Sequence, residues 1–305
     1  MKYIIGIDLG GTNLKLGLFD FRLKIKDKLI LTTPRLNKGQ LIAVITDSLK
    51  KLLVKNRLAK KNIAGVGLGL PGPIDSQRGI VHFFPNIPGW KKVPLKTILK
   101  NKLGLPVYID NDVNLMAVAE HEFGAAKKFQ NVVCLTLGTG IGGGIIIQGR
   151  LYRGSSYAAG EIGHIPINEI GPRCNCKGMA CIESYIGNQR ILNQARRLFQ
   201  RAVSLEELSR LAKKKNKMAV GIWQEAGRKL GIALTGVINL LDPDCIIIGG
   251  GVANAGRVLF ASIKNTIKKR TMFPQVSCVK IFQARLGEDA GMLGAAILAK
   301  ERGRI

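Results

Sequence analysis

Short apolar runs that end in glycine, proline or a carboxylate alternate along this chain with longer segments of helical period. Residues 2–8 read as a strand that stops at Asp8, and residues 13–20 read as a second, so the turn Asp8-Leu-Gly-Gly-Thr12 predicts a hairpin. Over residues 40–56, Leu41, Ile42, Val44, Ile45, Leu49, Leu52 and Leu53 recur at helical spacing with Lys50, Lys51 and Lys55 between them, predicting an amphipathic helix. Residues 63–70 form a buried strand that enters the rigid turn Pro71-Gly-Pro-Ile-Asp75. A run at 80–83, the loop Pro85-Asn-Ile-Pro-Gly-Trp90 and a short helix ending near Gly104 come next. Then the strand 106–109 runs into Asp110-Asn-Asp-Val-Asn114 and a helix over 113–123.

The second half begins the same way. Strands at 131–137 and 142–148 flank Gly138-Thr-Gly-Ile-Gly-Gly-Gly144, a second glycine hairpin. Helices are predicted over 184–199, 204–214 and 217–241, and a strand at 245–248 feeds Gly249-Gly-Gly251 and a helix over about 255–269. A strand over 277–283 and a helix of small residues over 288–301 complete the pattern, which repeats strand-strand-helix units in two halves.

At 305 residues the chain is long for one core and predicts two domains. Hydrophobic residues make up 46%, which excludes a disordered chain. Asp8 interrupts the N-terminal apolar run too early for a secretory core. Residues 232–241 are broken by Thr235, Gly236 and Asn239 and fall short of the roughly 20 residues of a membrane span. The expectation is a soluble, cytoplasmic protein with no membrane partner. The net charge of +27 has two readings. A strong positive field attracts nucleic acid, polyphosphate or acidic partners. However, the basic residues occur in short scattered groups such as Lys60-Lys61 and Lys213-Lys-Lys215, without interleaved aromatics, as on ordinary solvated faces.

The most informative stretch is 160–183. It holds His164, Cys174, Cys176 and Cys181, and three thiolates with one imidazole suit a closed, four-coordinate structural Zn²⁺. The alternative is a loop of unligated thiols. Cys134, Cys245 and Cys278 lie in apolar runs and are expected to be inert core residues. Asp8 is placed either to hold Mg²⁺ through water or simply to end a hairpin strand. Asp112 opens a helix, where the dipole favours an ionised carboxylate; it is suited to accept a proton from an alcohol, or to serve as a plain N-cap. Gly138, Gly140 and Gly143 match the spacing G-x-G-x-x-G, but a strand comes after them, so a dinucleotide fold is excluded. The glycines 249–251 at a strand end would let a flat nucleoside lie against the backbone.

Taken in order, Asp8-x-Gly-Gly-Thr12, Gly69-x-Pro-Gly72, Pro85-Asn86, Asn111-Asp112, Gly138-Thr-Gly-x-Gly-Gly143, Gly160-Glu-Ile-Gly-His164, Cys174-x-Cys176 with Cys181 and Glu183, and Gly249-Gly-Gly251 resemble the ROK family of bacterial sugar kinases and repressors over nearly the whole chain. The resemblance implies an α/β, two-domain actin-like ATPase (ribonuclease H-like) fold, with mixed sheets flanked by helices and a zinc loop. The small domain is expected over 1–113 plus 290–305, and the larger one, with the zinc loop and nucleotide site, over 114–289. One departure stands out. Where the family pattern is Cys-x-Cys-Gly-x-x-Gly-Cys-x-Glu, this chain has Lys177 and Ala180 at the glycine positions, with Gly178 available to take over one turn.

By the same resemblance the chain is an ATP-dependent kinase in carbohydrate metabolism, a glucokinase of glycolysis acting on the 6-hydroxyl of glucose. Asp112 is the implied general base. Asn86, Asn111, Glu161, His164 and Glu183 bind sugar hydroxyls, and His164 with the three cysteines holds zinc. Asp8, Gly10, Gly11, Thr12, Asn13, Lys15, Gly138, Thr139, Gly140, Gly249, Gly250 and Gly251 are assigned to ATP and Mg²⁺. Fructose, mannose, N-acetylglucosamine or N-acetylmannosamine as acceptor, polyphosphate as donor, and sugar-responsive DNA regulation are the alternatives. The regulators carry a helix-turn-helix ahead of the first hairpin, for which residues 1–2 leave no room here. Domain closure over the sugar and a homodimer or homotetramer are further expectations of the resemblance.

Overall fold

The computed structural model describes residues 2–33, 37–84 and 90–303. It groups into two compact units, Met1–Phe123 with Leu151–Ala159 and Glu288–Ile305, and Gly124–Arg150 with Gly160–Gly287. Residues 114–123 and 151–159, expected in the larger domain, thus group with the first unit. The helix at 112 continues directly from a strand of that unit's sheet, and Arg153 pairs with Asp110 within it.

In the first unit, β1 (Tyr3–Leu9) and β2 (Asn13–Asp20) form an antiparallel hairpin with Asp8 opposite Lys15. β3 (Ile25–Thr32), which the apolar-run reading overlooked, pairs with β2 and alternates half-buried Ile25, Leu29 and Leu31 with exposed Lys26, Lys28 and Ile30. That period of two marks a sheet edge with one wet face. α1 (Lys38–Lys55) starts at a reciprocal cap: the Asn37 side chain accepts from the Gln40 N–H, and the Gln40 side chain accepts from the Asn37 N–H. β4 (Ile63–Leu70) lies parallel to β1. A small sheet of β5 (Ile74–Asp75), β6 (Ile80–Phe83) and β7 (Lys91–Val93) comes next, then α2 (Leu95–Leu103), which Gly104 ends in the left-handed region. β8 (Val107–Asn111) pairs in parallel with β4 and runs without a loop into α3 (Asp112–Glu122), giving the order β3-β2-β1-β4-β8.

Leu41, Ile45 and Leu49 of α1 pack with Ile5, Ile7, Leu16 and Leu68 in a dry cluster. The helix Ala290–Arg302 packs against β1 and β4 so closely that a Cβ on Gly67 would collide with the Ala295 carbonyl. Each fully buried Leu or Ile in such a core contributes about 1.5–3 kcal/mol relative to exposure.

The second unit repeats the topology. β9 (Val132–Leu137) and β10 (Ile141–Ile147) form the second glycine hairpin, β11 (Arg150–Tyr152), of which only Arg150 groups with this unit, adds to its edge, and β12 (Cys245–Gly249) and β13 (Lys280–Gln283) are parallel additions, giving β11-β10-β9-β12-β13. The helix expected over 184–199 is two, α4 (Glu183–Ile186) and α5 (Asn188–Phe199), interrupted by Gly187. α6 (Leu205–Lys213), α7 (Lys217–Leu241) and α8 (Arg257–Arg270) come after them, and Trp223 of α7 is fully buried in the central cluster. The strand expected over 277–283 is shorter. Pro274, with φ set by its ring, starts a helical turn α9 (Gln275–Cys278), and only Lys280–Gln283 is extended. Cys278 is consequently exposed, not a core residue, whereas Cys134 and Cys245 are buried as expected. Among the described residues no helix is long and apolar enough to cross a membrane.

Candidate active site

The first hairpin holds its turn open. The Gly10 N–H donates to the Asn13 carbonyl at 2.9 Å, and Thr33, just past β3, ties down the other side, donating from Oγ1 to the Gly10 carbonyl and from N–H to the Thr12 carbonyl, each at 2.8 Å. A side chain on Gly11 would meet no atom within 4 Å, so nothing in the fold demands glycine there; what its absence leaves is open backbone. Asp8, the last residue but one of β1, has its carboxylate against Gly291, where a Cβ would come within 2.5 Å of it. Burial pushes the Asp8 pKa up to about 6, against the opposing pull of Lys15. Lys15 donates to the carbonyl and carboxylate of Glu288 at 3.2 and 3.3 Å, so its ammonium already has an acidic partner.

At the end of β8 the helix cap is Asn111, not Asp112. The Asn111 Oδ1 accepts from the N–H groups of Val113 and Asn114, at 2.9 and 3.1 Å, and its Nδ2 donates to the Gly72 carbonyl at 3.2 Å. Asp112 is therefore the first residue inside α3, half-buried, with Oδ1 accepting from the Val113 N–H at 2.9 Å. A carboxylate there lies at the positive end of the helix dipole. Asn86 lies outside the described residues.

In the second unit, the carboxylate of Glu183 reaches the glycine hairpin. Its Oε2 accepts from the Ile141 N–H at 2.8 Å and lies 2.6 Å from where a Cβ on Gly140 would be. Glycine at 140 is what admits this acid. Glu183 Oε1 lies 3.9 Å from the Cys174 sulfur, so one side chain joins the hairpin to the cysteine loop. The hairpin is closed further by Gly138 N–H to Gly140 carbonyl at 2.9 Å and Asn188 N–H to Gly138 carbonyl at 3.1 Å. Thr139 forms the tip, and Gly187 packs beside its carbonyl.

The four predicted metal residues converge. One ligand atom from each of His164, Cys174, Cys176 and Cys181 lies within 4.8 Å of the others. The Cys176–Cys181 sulfurs are 3.7 Å apart, and His164 Nδ1 is 3.6 Å from the Cys174 sulfur. A tetrahedral ion with bonds of about 2.3 Å requires edges of about 3.8 Å, so the donor set fits Zn²⁺ in number, type and spacing. Burial, together with the neighbouring thiols, pushes the Cys181 pKa up to about 12, a proton that metal would displace. The opposite ring nitrogen of His164, Nε2, lies 3.8 Å from Glu161, whose pKa is raised chiefly by burial, with His164 opposing and Glu183 adding. His164 thus presents Nδ1 to the thiols and Nε2 to a carboxylate, compatible with both of its expected duties.

The loop brings its four donor residues together without glycine at 177 or 180. Lys177 and Ala180 take left-handed φ of 74° and 57°, while Gly178 does not adopt a positive φ and takes over neither turn. The Lys177 N–H donates to the Cys174 carbonyl at 3.0 Å, the Cys174 N–H to the Gly178 carbonyl at 2.9 Å, and the Gly178 N–H to the Cys176 sulfur at 3.4 Å.

β12 ends at Gly249. Gly250 then takes φ of 87° against the Leu137 backbone, and Gly251 opens a short 3-10 turn. A cavity of about 250 Å³ lies there, lined by Gly251 and Asn254 and by Leu205, Ser209, Arg210 and Lys213 of α6. The glycines were legible in the sequence, but the α6 residues were not, because a helix spacing does not say which strand end it will cover.

Two sheets of identical strand order, each opening on a glycine hairpin, together with an acid at the start of a helix and a thiol-imidazole cluster, are those of an α/β, two-domain actin-like ATPase fold. The ROK family model matches residues 4–302, and the chain belongs to that family. It is 35% identical to the glucokinase of Halalkalibacterium halodurans over 99% of this chain and 96% of that one. A ROK family glucokinase from Streptomyces griseus, solved in complex with glucose and AMPPNP, superposes with a TM-score of 0.85 at 30% identity, covering 98% of this chain and 99% of that one. A ROK family transcriptional regulator superposes with a TM-score of 0.91 at 27% identity, covering 99% of this chain but 78% of the regulator.

Proposed function

We propose that this chain is a sugar kinase that transfers the γ-phosphoryl group of ATP to the 6-hydroxyl of glucose. The observation that carries the reading is the placement of Asp112, an acid held at a helix start beside a cap, in the same unit as the open Gly10–Gly11 turn and Asp8. Phosphoryl transfer has a loose transition state, so the protein's task is to place groups and balance charge. The backbone N–H groups around Gly10 and Gly11 and those around Thr139 cradle phosphate oxygens. Mg²⁺, when bound with the nucleotide, neutralises charge on those oxygens, and Asp8 is the residue that would hold it. Asp112 orients the sugar hydroxyl and accepts its proton. Glu161 and the Nε2 side of His164 bind sugar hydroxyls, with Asn111 and Glu183 contributing what their structural hydrogen bonds leave free. Zinc on His164 and the three cysteines braces that wall. The adenine and ribose lie along Gly249–Gly251, with the α6 side of the 250 Å³ cavity around them.

Glucose is favoured as acceptor by the glucokinase relative and by the glucose complex. A coupled assay over glucose, fructose, mannose, N-acetylglucosamine and N-acetylmannosamine, with ATP and with polyphosphate as donors, tests the proposal; the highest kcat/KM is expected for glucose with ATP. Preference for another sugar or donor would reassign the substrate. The regulator's TM-score of 0.91 favours a second reading, a sugar-responsive DNA-binding protein. Salt-sensitive retardation of duplex DNA together with no phosphoryl transfer to any sugar would put that reading first.

A further inference from the structure

Asp110, two residues before Asp112, is 1% exposed. A carboxylate so deeply buried must have its charge and lone pairs met. Arg153 meets one oxygen with two donors: its Nε lies 2.8 Å and its Nη2 2.6 Å from Oδ2. The other oxygen, Oδ1, accepts from the Asn111 N–H at 2.8 Å and from Asn114 Nδ2 at 3.2 Å. Asn111 is the cap of α3, and Asn114, itself 4% exposed, lies in its first turn. Asp110 therefore grips residues on both sides of Asp112, and Arg153 locks Asp110.

We infer that Arg153, acting through Asp110, is a positioning residue that holds Asp112 in its working orientation, an inference that rests on Asp112 being the general base. Arg153 lies on Leu151–Ala159, a segment that joins the first unit although the sequence on either side of it belongs to the second. The planar fork of Arg153 gives two directed bonds where a lysine would give a single point charge. The Asp112 carboxylate spends one oxygen on the Val113 N–H, so its direction is set by the first turn of α3. Loosening that turn shifts the base by a fraction of an ångström, to which the chemical step is far more sensitive than sugar binding is.

The test uses Arg153→Lys, Arg153→Ala, Asp110→Asn and the double variant Asp110→Asn/Arg153→Ala in the full chain. Removing one partner of a buried pair risks misfolding, so Arg153→Lys, which keeps the charge, is the primary variant, and rates are expressed per folded molecule from thermal melts. The expected result is a fall in kcat of about 10-fold for Arg153→Lys and about 100-fold for Arg153→Ala, with the glucose KM changed less than about threefold. The double variant should lose no more than the worse single one. Amide hydrogen exchange at residues 112–116, measured without substrate, should quicken at least about tenfold in Arg153→Ala while exchange in β1 is unchanged. Wild-type kcat in the folded fraction of Arg153→Lys and Arg153→Ala, losses that multiply in the double variant, or unaltered exchange at 112–116 would each overturn the inference. Quickened exchange in a protein whose wild type phosphorylates no sugar supports the clamp and overturns the kinase reading instead.

Discussion

The two glycine hairpins occupy the same place in two sheets of the same strand order, yet they are closed by different means. The Gly10 turn is secured from its own sheet, by Thr33 just past β3, and its acid, Asp8, is part of the hairpin. The Gly138 turn is secured from outside the sheet, and its acid, Glu183, comes from α4 next to the cysteine loop. A duplicated architecture has thus been given two electrostatic schemes. The first keeps its carboxylate buried within its own hairpin, facing Lys15. The second commits one oxygen of its carboxylate to the Ile141 N–H and makes the hairpin a neighbour of the cysteine loop.

The sharpest way to break this contrast is Asp8→Asn. Turnover should fall by at least about 100-fold if Asp8 serves the nucleotide-bound cation, as steady-state assays would measure. Stability should move the other way. The Asp8 pKa is raised from 3.8 to about 6, so its stabilising protonated form is fully present below pH 3.8 and is lost as pH rises through 6. At pH 7 Asp8→Asn is therefore expected to be more stable than wild type, by about 1–3 kcal/mol, with the pH slope between 4 and 6 removed. A less stable variant at pH 7 would mean that the buried charge is better compensated than Lys15 alone allows.

Metal removal addresses the other scheme. Chelation should quicken hydrogen exchange at the Ile141 amide, which is bonded to Glu183, by about tenfold or more, and leave the Gly10 amide unaffected. Equal changes at both amides would dissolve the distinction. Zinc re-addition should release protons from the thiols, measurable with an indicator dye. Next in size, Gly140→Ala forces a methyl to within 2.6 Å of the Glu183 carboxylate and should cost about 1–3 kcal/mol in denaturant unfolding, whereas Gly11→Ala meets nothing within 4 Å and should cost under about 0.5 kcal/mol. The smallest expected effects are gains. Lys177→Gly and Ala180→Gly each relieve a left-handed side chain and should stabilise the metal-loaded protein by about 0.5–1 kcal/mol.

Much of this is legible in the amino-acid sequence. Glycine turns between apolar runs foretold both hairpins, because the residues after the glycines have a period of two when a strand is next and of 3.6 when a helix is. The cysteine cluster was legible because ligand chemistry restricts which residues can share an ion. What the pattern hid were interactions chosen by tertiary partners. Asn111, read as a sugar ligand, spends its oxygen capping α3. Lys15, assigned to ATP and Mg²⁺, is paired with Glu288, 273 residues away. Glu183 bonds Ile141 across 42 residues. The apolar run at 277–283 looked extended throughout because about four residues are too few to distinguish a helical turn from a strand by period alone.

The packing of Ala290–Arg302 against β1 and β4 has a consequence for how the chain is born. Its small residues, Gly291 at Asp8 and Ala295 at Gly67, supply a face of the first unit that nothing earlier in the sequence provides. With synthesis at roughly 5–20 residues per second, β1 and β4 must wait until residues 290–302 have emerged before that face of their core can close. Nearly all of the second unit's residues are available before then. The Gly10 hairpin thus depends for its packing on a helix that lies after every strand of both sheets in the sequence.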